Sequence, residues 1–382
     1  MDAKLKILLV SPYLPASDTT GCARQIHDFI RALSQKGHQV YLLSFCSQED
    51  KGRVPLISRF CREVHLEYLD NYYRFPARAP VFKKIISELS QSKTVDIVQC
   101  ENSYLKRYVP VGLGIPLVLV EHEILSVAFR QQAGLQDNYF GKIILFSRAI
   151  KKTWQEQRWY RGFDRIIVFT QADRQAIISR IKSADPAVIP IGINAAEYPP
   201  AVLTAPAFDL IFAGNFSHAP NIDAALYFSR QILPLIKQKL PEVKILIAGA
   251  NPPEAVRNLA KIDPCVTVTG YVPDIKSLYA KSKVSIAPLR WGSGMCFKIL
   301  EALALQTAVV ATSTGARGIT LPKIIKIADG ELAFAQAAID LLKDDNLRQA
   351  PVAAGRAAVE GFYDWGSLIS KYEEVYSRLL YH

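Results

Sequence analysis

The densest run of residues able to do chemistry is Arg290–Gly318, RWGSGMCFKILEALALQTAVVATSTGARG. A short apolar strand, Val284–Ala287, ends in Pro288. The loop Arg290-Trp291-Gly292-Ser293-Gly294 then opens a helix expected over Met295–Leu305. Glycines at such a turn let the backbone approach an anion, and the amides and dipole of the helix N-terminus hold it. The amides of Gly292, Ser293, Gly294, Met295 and Cys296 are the expected donors. Lys298 and Glu301 lie three apart and share a helix face. Lys298 can neutralise phosphate, and Glu301 can accept hydrogen bonds from a ribose diol, as an acidic group does in dinucleotide folds. The same pattern also fits an ordinary α/β turn whose Lys–Glu pair is a surface contact worth about 0.2–0.5 kcal/mol. The loop alone leaves both readings open.

A second candidate is His122, in Val120-Glu121-His122-Glu123-Ile124, just past an apolar strand. The C-terminal edge of a parallel sheet is where α/β ligand sites lie, although a lone histidine is more often structural. Glu121 or Glu123 could orient the ring or raise its pKa. Gly21 and Arg24 stand where the first strand meets the first helix, and Arg24 also fits an exposed helix position. No Asp-x-Asp pair occurs, and the nearest substitutes are Glu121-x-Glu123 and Asp329-x-Glu331. The six cysteines show no Cys-x-x-Cys spacing, so neither a zinc site nor a disulfide framework is expected. No metal ligand set and no cofactor is expected.

The elements that must position these residues alternate strand and helix. Lys6–Val10, Val40–Ser44, Asp96–Gln99, Pro116–Val120 and Arg165–Phe169 are short apolar runs that read as buried parallel strands. Arg24–Gln35 has helical spacing and stops at Gly37. A second alternation runs through Asp209–Ala213, Lys244–Ala248, Val266–Thr269, Val284–Ala287 and Ala308–Ala311. Five prolines between 186 and 206 suggest a linker. The expected organisation is an α/β fold of two Rossmann-like doubly wound domains, 1–186 and 207–361. They are joined by a linker at 187–206 and followed by an aromatic helix in 362–382 that packs on either domain.

Composition bounds the partners. A chain of 382 residues, half hydrophobic and 21% charged, is neither disordered nor a single small domain. The run Ala302–Ala316, 15 residues without a charge, is too short to span a bilayer. The start, Met1–Ala16, reads as a first strand rather than a signal peptide because Pro12 and Pro15 follow at once. Residues 1–186 hold 27 basic and 18 acidic residues, against 19 and 17 in the remainder. That excess favours an anionic partner: phosphate-bearing substrate or acidic membrane, with nucleic acid disfavoured for want of a recognisable motif. The basic, aromatic stretch Lys142–Arg161 is a membrane-surface candidate. Its simpler reading is a solvated helix with the aromatics packed inward. Tyr72-Tyr73-Arg74-Phe75 with Arg78, Lys83 and Lys84 is a second candidate of that kind.

The segment 290–318 resembles the donor-binding motif of retaining, GT-B-fold glycosyltransferases of family 4, in the branch written Arg-x-Gly-Ser-Gly, three residues, Lys-x-x-Glu-Ala, then Val-Val-Ala-Thr. The resemblance extends along most of the chain. It includes Ser11-Pro12-Tyr13, Gly21, Gly37-His38, Ile189-Pro190-Ile191-Gly192, Phe212-Ala213-Gly214, Pro220-Asn221-Ile222-Asp223 and Gly270-Tyr271-Val272-Pro273-Asp274. It implies two domains facing a cleft, a nucleotide-diphosphate sugar on the second and a saccharide or lipid-linked acceptor on the first. Transfer would be retaining and metal-independent, in polysaccharide or glycoconjugate biosynthesis, with UDP-sugars favoured over GDP-sugars. It implies donor contacts from Gly21, Gly214, His218, Tyr271, Val272, Arg290, the 292–296 loop, Lys298 and Glu301. Lys298 and His122 would be catalytic, with His122 on a loop that faces sugar and acceptor. Location would be cytoplasmic, with peripheral contact at the inner membrane face. Two departures stand out. Ser293 occupies the position of the first motif glutamate, and the turn 215–220 carries His218 where relatives place Arg and Lys. A sugar-nucleotide epimerase, or a non-catalytic GT-B subunit, are the alternatives.

Overall fold

Among the residues described by the computed structural model (4–19, 21–69, 76, 79–200, 206–321 and 323–381) thirteen strands form two parallel sheets. The 72–75 and Arg78 cluster lies outside the described residues. The first sheet contains β1 (Lys6–Ser11), β2 (Gln39–Ser47), β3 (Glu63–Leu69), β4 (Ile97–Glu101), β5 (Leu117–Glu121), β6 (Arg165–Val168) and β7 (Ala187–Val188), in the order 3-2-1-4-5-6-7. The second contains β8 (Phe208–Ala213), β9 (Ile245–Ala248), β10 (Val266–Val268), β11 (Ser282–Ala287), β12 (Ala308–Ala311) and β13 (Ile325–Ile327), in the order 10-9-8-11-12-13. Every pairing is parallel. The central strands are buried on both faces, which is why they read as continuous apolar runs.

The chain divides into two units, residues 1–192 with 365–382, and residues 193–364. The segment expected as a linker thus begins inside the first sheet, because Ala187 and Val188 pair with Ile167 and Val168. Residues 195–198 are held in the second unit, where the Arg356 guanidinium donates to the carbonyls of Ala195, Tyr198 and Ala304. The terminal helix, Trp365–Tyr381, packs on the first unit. Tyr372 lies 4.6 Å from Phe29 ring to ring, His38 meets Glu373 at 2.9 Å, and the Tyr376 hydroxyl donates to Gln99. Gly192 is required here: a Cβ on it would sit 2.4 Å from the Trp365 ring.

The helix Tyr139–Tyr160 corrects one expectation. Its aromatic and aliphatic residues do not all turn inward: Tyr139, Phe140, Ile143, Ile144, Ile150 and Trp154 are exposed. The inner seam is Leu145, Ala149, Glu156 and Tyr160. Apolar residues occur on two faces of this helix, and only one of them is covered.

Candidate active site

In an open parallel sheet, ligands bind beyond the carboxyl ends of the strands where the strand order reverses. In the second sheet that point lies between β8 and β11. The turn after β8 and the loop after β11 flank it, and one hydrogen bond joins the elements they lead into. Lys298 Nζ, in the helix Phe297–Ala304, donates to Asn221 Oδ1 at 2.7 Å, in the helix Ala219–Tyr227. Asn221 Nδ2 in turn donates to the Asn215 carbonyl at 2.8 Å. The Lys298 ammonium also lies 4.1 Å from the centre of the Phe212 ring. Lys298 is 9% exposed and Glu301 7%, so the reading of a solvated surface pair is excluded. Burial pulls the Lys298 pKa down, and the nearby Cys296 and Glu301 oppose that. The Glu301 carboxylate accepts from the Tyr198 hydroxyl at 3.2 Å.

The loop itself needs glycine. Gly292 has φ +137° and Gly294 φ +76°, both in the region that favours residues without a Cβ. Arg317 donates to the Gly292 carbonyl at 2.7 Å and fixes the loop from the far side. The helix begins at Phe297, with Cys296 as its N-cap, two residues later than expected. The 292–296 amides therefore belong to the loop, and the helix contributes those of Phe297 and Lys298. Gly214 passes close to Asn221: a Cβ there would meet its side-chain carbon at 2.9 Å. Arg290 is committed elsewhere. Its guanidinium binds both oxygens of Asp223, with Nε at 3.0 Å, and stacks 4.5 Å from the Tyr227 ring. Its charge is compensated before any ligand arrives. His218 is the exposed N-cap of the Ala219–Tyr227 helix. Tyr271 and Val272 follow β10 at the sheet edge, two strands from β8, with Tyr271 exposed.

In the first sheet the order reverses between β1 and β4. His122 follows β5 and is buried. Its Nε2 meets Glu101 Oε2, at the end of β4, at 2.7 Å. The orienting carboxylate is thus Glu101, not the expected Glu121 or Glu123, and Gln99 Nε2 donates to its other oxygen at 2.6 Å. Burial draws the His122 pKa down, but hydrogen bonds with the Cys22 thiol and Glu101 outweigh it and hold the ring at about 10. Glu121 is pushed up to about 8 by burial, against a hydrogen bond from Ser103. Gly21 opens the helix Gly21–Gln35, and Arg24 Nε donates to the Ser17 carbonyl at 2.8 Å.

Comparison with known proteins decides the class. Residues 19–197 match the family model described as Glycosyltransferase Family 4, and residues 207–344 match Glycosyl transferases group 1. The chain is 20% identical over 366 residues to an uncharacterized 44.6 kDa protein in the cps region of Klebsiella pneumoniae, covering 89% of this chain and 91% of that one. It is 30% identical over 178 residues to phosphatidyl-myo-inositol mannosyltransferase of Mycobacterium tuberculosis, 44% of this chain and 46% of the relative. Similar structures include sucrose-phosphate synthase from Thermosynechococcus elongatus (TM-score 0.73, 16% identity, 98% and 99% of the two chains). Anabaena HepE in complex with UDP and glucose is another (TM-score 0.71, 15% identity, 98% and 100%).

The chain is a glycosyltransferase of the GT-B fold.

Within this glycosyltransferase the structure joins Lys298 to Asn221 and His122 to Glu101, and sequence reasoning named only one member of each pair as a site residue. Asn221 lay within a recognised motif, Pro220-Asn221-Ile222-Asp223, and Glu101 at the end of an apolar strand; both positions were signals. Asp223, which neutralises Arg290, lay in the same motif. A cavity of about 510 Å³ in the first unit, lined by Lys106, Pro110, Pro116, Leu117 and Asp164 among others, opens at the amino-terminal end of β5. That is the wrong end of the sheet for the chemistry.

Proposed function

We propose that this glycosyltransferase moves a sugar from a nucleotide-diphosphate sugar, of the UDP class, to a hydroxyl of a saccharide or lipid-linked acceptor, with retention of configuration and without a metal ion. The observation that carries the reading is Lys298: a buried ammonium at the start of a helix, beside the sheet's reversal point, with a neutral amide oxygen as its hydrogen-bond partner. A diphosphate that takes the place of Asn221 exchanges a weak partner for a charged one. The loop amides, the helix dipole and Lys298 then act on the same phosphates. Glu301 receives the ribose hydroxyls. The UDP and glucose bound to Anabaena HepE support the choice of donor class. The absence of an Asp-x-Asp pair from the sequence supports metal independence. Among the described residues, no group of three His, Cys, Asp or Glu side chains is placed to hold a metal.

In the proposed reaction the bond between the sugar's anomeric carbon and the diphosphate oxygen breaks. The acceptor oxygen bonds to the same face of that carbon, and the acceptor proton passes to the departing diphosphate oxygen. The protein's task is to hold charge that grows on the leaving group, which fixed donors do without reorganising. Acceptor recognition falls to the first unit, where His122 is the candidate contact.

A thermal-shift panel of UDP-, GDP- and ADP-sugars tests the donor. A ligand at 100 times its dissociation constant stabilises by about 2.7 kcal/mol. The UDP-sugars should give the largest shift, and a larger shift with GDP-sugars overturns the class. Transfer should persist in EDTA; loss restored by magnesium or manganese overturns metal independence.

A further inference from the structure

The helix Tyr139–Tyr160 carries a surface that glycosyl transfer does not use. At 100° per residue, Tyr139, Ile143, Phe146, Ile150 and Trp154 fall within an arc of about 80°. All five are exposed, Tyr139 at 71% and Trp154 at 73%. Phe140 flanks the stripe at its amino-terminal end and is 75% exposed. The stripe extends for about 22 Å of helix, which is more than scattered single residues account for. A separate face, about 110° around the helix from the stripe, holds the helix to its own unit. Leu145, Ala149 and Tyr160 are buried there, and Glu156 accepts from the Ser126 amide at 3.0 Å and from Arg180 at 3.3 Å. The stripe is therefore not a displaced piece of core.

Charge selects the occupant. Lys142, Arg148, Lys151, Lys152 and Arg158 are the basic residues of the helix, and its one acidic residue, Glu156, is buried. The outward-facing charge is positive throughout. A second copy of this chain would set two such rows of cations against each other. An anionic surface meets them with opposite charge, while the apolar stripe enters the region between headgroups and acyl chains. Tyr139 and Trp154, near the two ends of the stripe, are residue types enriched at that boundary. No helix among the described residues is long and apolar enough to cross a membrane, so the mode is to lie on it.

The geometry points to the Tyr139–Tyr160 helix as a docking surface for an anionic lipid bilayer, with the Tyr139–Trp154 stripe inserted and Lys142, Lys151 and Arg158, which flank it, on lipid phosphates. This deepens the proposed function by setting a lipid-linked acceptor within reach of the first unit, and it rests on that reading only for the acceptor. The test needs no turnover, so its failure and the failure of the transfer reading are separable.

Flotation of the full chain with vesicles of mixed phosphatidylcholine and phosphatidylglycerol should bring the protein up at low salt. Pure phosphatidylcholine should not. Binding should fall at 1 M salt, where the Debye length is about 3 Å. Ile150→Glu and Trp154→Glu should each abolish flotation while circular dichroism and melting stay as in the wild type, since both positions are exposed. Lys151→Gln should weaken partitioning about fivefold. Tryptophan fluorescence gives a second readout if a variant folds poorly: wild-type emission should shift to the blue with the anionic vesicles and not with neutral ones, and Trp154→Phe, which leaves the other three tryptophans, should lose that shift. Absence of flotation at low salt overturns the proposal. So does binding that survives Ile150→Glu, or vesicle-independent self-association that the same substitution removes.

Discussion

The two sheets each reverse their strand order once, and near each reversal stands a buried basic side chain held by a hydrogen bond within its own unit. In the first unit, His122 is paired with a carboxylate, Glu101, at 2.7 Å. In the second, Lys298 is paired with an amide, Asn221, at the same distance. The first pair sets a base against an acid, so its charge is balanced within the protein. The second leaves an ammonium hydrogen-bonded to a neutral amide beside a ring face, in a place where burial disfavours its charge and Cys296 and Glu301 oppose that effect. A buried charge of that kind gains most from an anion. We therefore propose that the phosphates bind the second unit, while the first recognises the acceptor.

The comparison predicts that substitutions in the two pairs fail differently. Glu101→Ala leaves a buried imidazole without its carboxylate and should destabilise the protein by about 3–5 kcal/mol, read from urea unfolding. The pair also has a pH signature. His122 titrates at about 10 in the folded protein, above its ordinary value of about 6.5. The stability it contributes is full below that ordinary value and is lost as pH rises toward 10. Glu121, raised to about 8, acts in the same direction between its ordinary value and 8. Stability should therefore fall as pH rises above neutrality. In Glu101→Gln the part due to His122 should shrink, leaving the part due to Glu121. An unchanged pH profile in that variant would show that Glu101 does not hold the ring charged.

Smaller effects sharpen the second site. Glu301→Ala should weaken nucleoside diphosphate binding by about 1.5–3 kcal/mol through loss of a charged acceptor for the ribose. Calorimetry with UDP checks this, and unchanged affinity removes the assignment. Arg290→Ala should do least. Its pair with Asp223 is partly solvated, with the two side chains 33% and 23% exposed, so stability should change by about 0.2–1 kcal/mol. Its turnover should stay near the wild type. A large loss of turnover would mean that Arg290 leaves Asp223 for the phosphates.

Much of the fold was legible because central parallel strands are buried on both sides and announce themselves as apolar runs. The strands that escaped were β3, β7 and β13, all at sheet edges. β3 (EVHLEYL) alternates apolar and polar residues, β7 has two residues, and β13 is exposed at Lys326 and Ile327. An edge strand needs no continuous apolar run. The 290–296 loop was legible through its glycines, and the helix after it through Lys298. Partners were not: Asn221 lies 77 residues from Lys298, Asp223 67 from Arg290 and Glu101 21 from His122. Such pairs exist only once the topology brings strand ends together. The Tyr139–Tyr160 helix shows a related limit, since periodicity identifies residues that share a face but not which face is covered.

Steady-state kinetics of Lys298→Ala test the central claim most directly. Lys298 should stabilise the leaving diphosphate more in the transition state, where charge grows, than in the bound donor. The variant should stay folded, lose about 10²–10³-fold in kcat and show a smaller rise in donor KM. Lys298→Arg should recover only part of the loss, because the planar fork does not reproduce the ammonium. A folded alanine variant with near-normal kcat would contradict the account and move the phosphate site away from the β8–β11 reversal point.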